Sequence, residues 1–172
     1  MENLCAINTL RFLLRNLKQE DVSEQYLNWF NDNAAHKFIT AASHENSLSD
    51  LRKFIAEKEN RMDVLFLGIF ELTTGLHIGN IKYEPVDSVK GYAVMGILIG
   101  DINYRSKGVA GEVITASSRW LNKNRNVSEI FLGVHKVNLA AVKAYEKIGF
   151  IPTTTSHIKL NDVDCQIMKL EL

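Results

Sequence analysis

Proline is nearly absent from this chain: Pro85 and Pro152 are the only two in 172 residues. No stretch reads as a rigid linker, and each proline stands as punctuation between elements. Cysteine is equally scarce, and Cys5 and Cys165 lie in no CxxC or comparable spacing. That spacing gives no disulfide framework and no cysteine-based metal centre, so no metal is expected; both residues read as free thiols of a reducing cytoplasm, where a Cys5–Cys165 bridge would be unusual. Net charge is missing too, since 20 Lys and Arg balance 20 Asp and Glu. Without a global positive field there is no long-range attraction for nucleic acid or an anionic membrane, and an anionic ligand must be gripped by a local site. Neutrality also weakens self-repulsion, which is compatible with a homodimer. The longest apolar run, Val64 to Phe70, is interrupted by Gly68 and falls far short of the roughly 20 residues that cross a bilayer. Met1 to Cys5 has neither the basic start nor the apolar core of a secretory signal. These features together predict a cytoplasmic protein.

What is present is a globular balance: 46% apolar and 23% charged residues, with no repeat or low-complexity tract. A chain of this length supports one sizeable core, so residues 1–172 are read as a single domain. Leu10 to Arg15 predicts a first strand and Glu20 to Phe30 a helix, with a further short helix over Ala34 to Ile39. Ser47-Leu48-Ser49-Asp50 is a capping pattern, and Leu48, Leu51, Phe54 and Ile55 then recur at helical spacing. The period changes in Val64–Glu71, His77–Glu84 and Tyr92–Ile99, three β-branched and aromatic runs that predict an antiparallel meander. Gly108 to Lys123 returns to a helix. Ile130 to Val134 is a short strand and Leu139 to Ile148 a helix closed by Gly149. Ile151–Lys159 and Val163–Leu170, turning at Asn161-Asp162, predict a final hairpin. The sum is an α/β fold, a mixed sheet with helices against it.

Chemistry concentrates after the fourth strand of this scheme. Ile97, Leu98, Ile99 and Gly100 end that strand, and Arg105-Ser106-Lys107-Gly108-Val109-Ala110 then opens a helix. A helix N-terminus carries unpaired N–H groups and partial positive charge, so it attracts phosphate. Gly108 admits close approach of the backbone, Ala110 adds little bulk, and Arg105 and Lys107 bring charge. The second fragment runs from Val134 to Phe150 and includes Asn138, Ala140, Ala141, Tyr145 and Lys147-Ile148-Gly149-Phe150.

Taken with Arg-x-x-Gly-x-Ala, this fragment resembles the two principal motifs of the GNAT acetyltransferase superfamily, and the order of elements matches along essentially the whole chain. The segment Glu20 to Asp32, with its Tyr-Leu-x-Trp pattern, is similar to the branch of ribosomal-protein alanine acetyltransferases. It is most similar there to bacterial nucleotide-amino-sugar N-acetyltransferases. The resemblance implies a mostly antiparallel central sheet whose fourth and fifth strands splay apart, acetyl-CoA as cosubstrate, and a small-molecule primary amine as acceptor. It assigns the pyrophosphate to backbone amides of Arg105, Ser106, Lys107, Gly108, Val109 and Ala110. The pantetheine arm falls to main-chain groups of Ile97, Leu98 and Ile99, with Asn138 and Ala141 on the other strand's side. Tyr145 faces the thioester sulfur as proton donor.

For the base, Glu84 at the end of the third strand is the first candidate; His135, His77 and His36 are others, and an amine of modest pKa needs only water. Trp29 and Phe38 are candidate walls of an acceptor cleft, and Lys37 with His44-Glu45-Asn46 candidate contacts for a nucleotide. Neither cysteine has a His-containing motif beside it, so direct transfer without an acyl-enzyme is expected. Two other readings stand beside this one: acetylation of a protein N-terminus, and a silent acyl-CoA-binding module.

Overall fold

The apolar runs in the middle of the chain become the centre of one sheet. The computed structural model describes residues 5–31, 47–160 and 162–172. Its strands are β1 (Ala6–Asn8), β2 (Phe12–Asn16), β3 (Leu65–Glu71), β4 (His77–Asp87), β5 (Tyr92–Ile99), β6 (Glu129–His135), β7 (Ile151–Thr153) and β8 (Cys165–Glu171). Its helices are α1 (Glu24–Asn31), α2 (Leu48–Lys58), α3 (Val109–Arg125) and α4 (Leu139–Ile148). The strands lie in the order β1-β2-β3-β4-β5-β6-β8-β7. Every neighbouring pair is antiparallel except β5 and β6. This is the GNAT fold that the motifs implied. Among the described residues no helix is long and apolar enough to cross a membrane.

Helix α3 covers one face of the sheet. Val109, Val113, Ile114, Ser117 and Leu121 recur at helical spacing and are buried, against Ile81 and Tyr83 of β4, Ala93 and Met95 of β5, and Ile130, Leu132 and Val134 of β6. The Tyr83 hydroxyl finds a buried partner 2.8 Å away in Ser117. Helices α1 and α2 cover the other face, where Tyr26, Trp29, Phe30, Leu51 and Ile55 meet Phe66 and Phe70. Ser47 caps α2 as its pattern predicts, accepting from the Asp50 amide at 3.1 Å.

Four local readings differ. A short strand, β1, precedes the predicted first one; its three residues pair only with β2, so no periodicity announces it. The first helix begins at Glu24 because the Asp21 carboxylate is held by Arg15 at 2.6 and 2.8 Å and by the Lys18 amide, leaving Gln19–Asp21 as a 3-10 turn. Pro85 does not end β4, which continues to Asp87 through a register shift between Tyr83 and Val86. Finally, β7 stops at Thr153, because the following segment leaves the sheet and lays the His157 ring on Tyr92, 3.8 Å between centroids. The helix expected over Ala34–Ile39 lies outside the described residues.

Candidate active site

Strands β5 and β6 share three paired positions, Tyr92 with Glu129, Ala93 with Ile130 and Val94 with Phe131. Beyond Val94 each keeps only its outer neighbour: β5 stays on β4 as far as Ile99, and β6 on β8 as far as His135. A fork opens between them. Ile97 and Ile99 turn toward the α3 core and Leu98 toward the opposite one, which leaves the main chain as the lining of the fork. A linear ligand with amide groups suits such an unpaired strand edge.

The wide end of the fork leads to the 105–110 turn. Ser106 at φ 58° and Gly108 at φ 73° are both left-handed, with Lys107 between them in the ordinary region. Alternating hands of this kind turn successive N–H groups to one side and make an anion-binding concavity. The turn runs directly into the N-terminus of α3, whose Gly108 cap has no side chain to occupy the free amides. Ser106, Lys107 and Gly108 are exposed, whereas Val109 is buried and offers only its backbone. The side chain of Arg105 does something other than the sequence suggests. Its Nε and Nη2 donate to the Ile99 and Gly100 carbonyls at 2.9 and 3.0 Å, tying the turn to the end of β5. Five residues before the turn, Trp29 of α1 packs on Gly100, where a Cβ would run into the indole.

Asn138 caps α4 by accepting from the Ala141 amide at 3.3 Å, so only its NH2 group is left to point elsewhere. Tyr145, on the same helix, packs against the α3-side core with its ring 5.7 Å from that of Phe150. Its hydroxyl has no partner among the described residues, and burial pushes its pKa up to about 12.

Glu84 is placed on the α2 face, but not as a free base. Lys58, Arg61 and Lys82 all reach its carboxylate, at 2.8, 3.0 and 2.9 Å. Burial alone would raise its pKa; hydrogen bonds from Lys58 and Lys82 and the charge of both outweigh that and hold it below the ordinary value. A carboxylate so stabilised is a weak proton acceptor. Lys82 is paired across the strands with Gly96, just past the last β5–β6 rung, and Gly96 is exposed with open space above it. The cations therefore stand beside the narrow end of the fork. On the far side, Leu160 and His157 lie over Gly133 and Phe131 of β6. A cleft of about 350 Å³ opens next to the same cluster, lined in part by Lys58, Arg61, Lys18 and Glu20.

Of the histidines, His77 is enclosed by Tyr26, Trp29 and Phe70. Its Nε2 meets the Gly79 carbonyl and Asn80 Oδ1 at 3.0 and 2.8 Å, and burial lowers its pKa. It stays neutral inside this aromatic pocket. His135 ends β6, its Nε2 3.6 Å from Asp162. With Asp162 and Asp164 it is the one group among the described residues whose ligand atoms gather within 4.8 Å, at an exposed loop. His36, Phe38, Lys37, His44, Glu45 and Asn46 lie outside the described residues. The cysteines are free thiols. Burial pushes Cys5 up to about 12, and Cys165, although opposite His135 across β6 and β8, is raised by burial and by Asp162 and Asp164. Neither has the depressed pKa of a nucleophile.

Sequence reasoning missed Arg11 and Glu112. The Glu112 carboxylate, in the first turn of α3, accepts from Thr9 Oγ1 at 2.7 Å and from the Arg11 backbone N–H and Nε at 2.8 and 2.7 Å. Arg11 Nη1 continues to the Lys107 carbonyl at 3.1 Å. These partners are about a hundred positions apart, and no local spacing reveals them.

A forked sheet whose wide end meets a helix-capping turn of outward amides defines a class of acyl-CoA-handling domains. Residues 11–151 match the acetyltransferase (GNAT) domain family, and the chain belongs to that family. It is 36% identical over 75 residues to an uncharacterized N-acetyltransferase, YobR, of Bacillus subtilis, covering 44% of this chain and 30% of that protein. It is 35% identical over 71 residues to an N-alpha-acetyltransferase of Saccharolobus solfataricus, covering 41% of each. The matched stretch thus spans less than half the length of these relatives. Among solved structures, RimL, a ribosomal L7/L12 alpha-N-protein acetyltransferase in complex with coenzyme A, superposes with a TM-score of 0.83 over 98% of both chains at 13% identity. At that identity the likeness is one of fold.

Proposed function

We propose that this chain transfers an acetyl group from acetyl-CoA directly to a primary amine, and that the acceptor is a small amino sugar linked to a nucleotide. The observation that carries the first part is the fork running into the 105–110 turn: unpaired strand edge for the pantetheine amides, outward N–H groups for the pyrophosphate. Amides of residues 106–110 hold the phosphates, the Arg105 N–H being taken by the Ile102 carbonyl at 3.3 Å; main-chain groups of Ile97, Leu98 and Ile99 hold the arm, and the NH2 of Asn138 supports it from the N-terminus of α4. Acetyl-CoA supplies an activated acyl group at the narrow end. There an N–H of β5 polarises the thioester carbonyl, and the free Tyr145 hydroxyl donates to the departing sulfur. A donor near 12 does not hand its proton fully to a thiolate whose acid has a pKa of about 8.5. The hydroxyl therefore acts as a hydrogen-bond donor while the C–S bond breaks, and the proton lost by the attacking nitrogen completes the thiol. With Glu84 ion-paired, water receives that proton in transit.

Support for an anionic acceptor comes from Lys58, Arg61 and Lys82 crowded on one carboxylate. Three cations around Glu84, with Asp63 holding Arg61 as well, leave a positive excess beside the fork. A nucleotide diphosphate complements that field, and the field disfavours a protonated amine, so the acceptor nitrogen arrives neutral more readily. Acetylation of a protein N-terminus is the second reading, favoured by the naming of the Saccharolobus relative. Thiol release measured with UDP-linked amino sugars, free amino sugars and peptides starting in Ala or Ser decides between them. A sugar nucleotide is expected to give the highest kcat/KM. A peptide that exceeds every sugar moves the acceptor to the second reading, and no turnover with any amine, despite acetyl-CoA binding, makes the chain a binding module.

A further inference from the structure

The pyrophosphate turn is short of a cation where the sequence placed one. Arg105 spends its guanidinium on the carbonyls of Ile99 and Gly100. The other cation of the motif, Lys107, is on an exposed, flexible stem. A third cation reaches the same turn from the opposite end of the chain. Arg11 donates through Nη1 to the Lys107 carbonyl at 3.1 Å, and its Nη2 lies 4.0 Å from where a Cβ on Gly108 would be. Nη2 has no partner among the described residues. The guanidinium is aimed by Glu112, which takes its Nε and its backbone N–H with two different oxygens, and by the face of Phe12, 5.0 Å below. Thr9 completes the hold on Glu112.

We propose that Arg11 is a positioning residue for acetyl-CoA, resting on the reading of the 105–110 turn as the pyrophosphate site. Two effects follow from its geometry. By drawing the Lys107 carbonyl to one side, it fixes the plane of the Lys107–Gly108 peptide, and that peptide's N–H, on Gly108, is one of the amides offered to phosphate. It also places an N–H donor, Nη2, unpartnered among the described residues, beside Gly108, within reach of a phosphate oxygen on the turn. Glu112 is the aiming residue. Its carboxylate is half-enclosed, which alone would raise its pKa, but bonds from Thr9 and Arg11 outweigh this and keep it ionised. A lysine at position 11 keeps the charge but not the fork; one ammonium cannot serve the Lys107 carbonyl and the Glu112 carboxylate with the same directions.

The experiment measures acetyl-CoA affinity by calorimetry and both KM values and kcat for the wild type, Arg11→Ala, Arg11→Lys and Glu112→Gln, with melting temperatures with and without acetyl-CoA. Arg11→Ala is expected to weaken acetyl-CoA binding and raise its KM by about tenfold to a hundredfold, the range for a lost charge-assisted hydrogen bond. The acceptor KM is to stay within about threefold, as is kcat at saturating acetyl-CoA, and Arg11→Lys is to recover only part of the loss. Glu112→Gln is to fall between. A purely structural role predicts instead a lowered melting temperature of the free protein with an unchanged acetyl-CoA affinity, and that result overturns the proposal. If Arg11→Ala does not fold, Arg11→Lys decides: wild-type affinity in it overturns the positioning role. A wild type that does not bind acetyl-CoA removes the reading of the turn itself; a wild type that binds it, with variants that bind equally, removes only Arg11.

Discussion

The two faces of the sheet solve different problems with different materials. Under α3 the contacts are mostly aliphatic, with Phe12, Phe150 and the Tyr83–Ser117 hydroxyl pair buried among them. What this face delivers to the site is backbone: the end of β5, the turn and the first amides of α3. The face under α1 and α2 is aromatic and ionic. Trp29, Tyr26, Phe70 and His77 stack together, Arg15 sits 3.9 Å over Phe70 on one side, and the Glu84 cluster borders Phe54 on the other. Backbone recognition is indifferent to side-chain identity, so the first face can serve one cosubstrate across many sequences. Side-chain recognition changes with each substitution, and the acceptor is therefore expected to be read by the second face.

Three variants test this division, in descending size. Tyr145→Phe removes only a hydroxyl that has no partner among the described residues, so kcat is expected to drop by about 10²–10³-fold, the usual cost of losing one donor to a developing negative charge, with calorimetric acetyl-CoA affinity unchanged. Wild-type turnover in this variant would leave Tyr145 a packing residue. Gly108→Val forces a β-branched residue into φ 73° and puts a side chain over the free amides. Acetyl-CoA affinity is expected to fall by roughly a hundredfold, the equivalent of losing one or two charge-assisted hydrogen bonds. Acceptor KM extrapolated to saturating acetyl-CoA should not move; if it does, the two faces are not separable. His77→Phe is the smallest and belongs to the other face. Burial depresses the histidine's pKa below its ordinary value, so the unfolded chain binds the proton more readily. The stability that goes with a neutral His77 is complete above an unfolded pKa of about 6.5 and is lost as pH falls toward the lower folded value. Denaturant melts of the wild type are expected to weaken below that point, and His77→Phe to remove this part of the acid sensitivity while acetyl-CoA affinity stays as it was. An identical pH profile in both proteins would remove His77 as its source.

The sequence revealed local features on both faces far better than pairings between distant residues. The β3–β5 meander, the cap at Ser47, the turn at 105–110 and the stop at Gly149 each depend on neighbours within a few residues, and pattern and spacing carry that kind of information. Misreadings came where a distant partner decides. Arg105 looked like a phosphate clamp until the carbonyls at the end of β5 claimed it. Glu84 looked like a base because nothing at positions 82–86 shows that Lys58 and Arg61 arrive from the end of α2. Strand β7 was drawn too long because the stacking of His157 on Tyr92 joins residues that no local rule connects. Arg11 is the extreme case, with its meaning written about a hundred positions away.

The fork has one more consequence, for the mechanics of the sheet. Five strands, β1 to β5, lie on one side of it and three, β6, β8 and β7, on the other, joined by the three rungs Tyr92–Glu129, Ala93–Ile130 and Val94–Phe131. Such a sheet behaves as two plates stitched at one end. The seam is kept shut by α3, which spans both plates from behind, and by the His157 ring, which presses on Tyr92 and Phe131 from the front. Amide exchange at positions 92–94 then becomes a gauge of the whole molecule: a ligand lying along the open edge adds stitches beyond Val94, and protection of the three rungs rises with it although the ligand touches none of them.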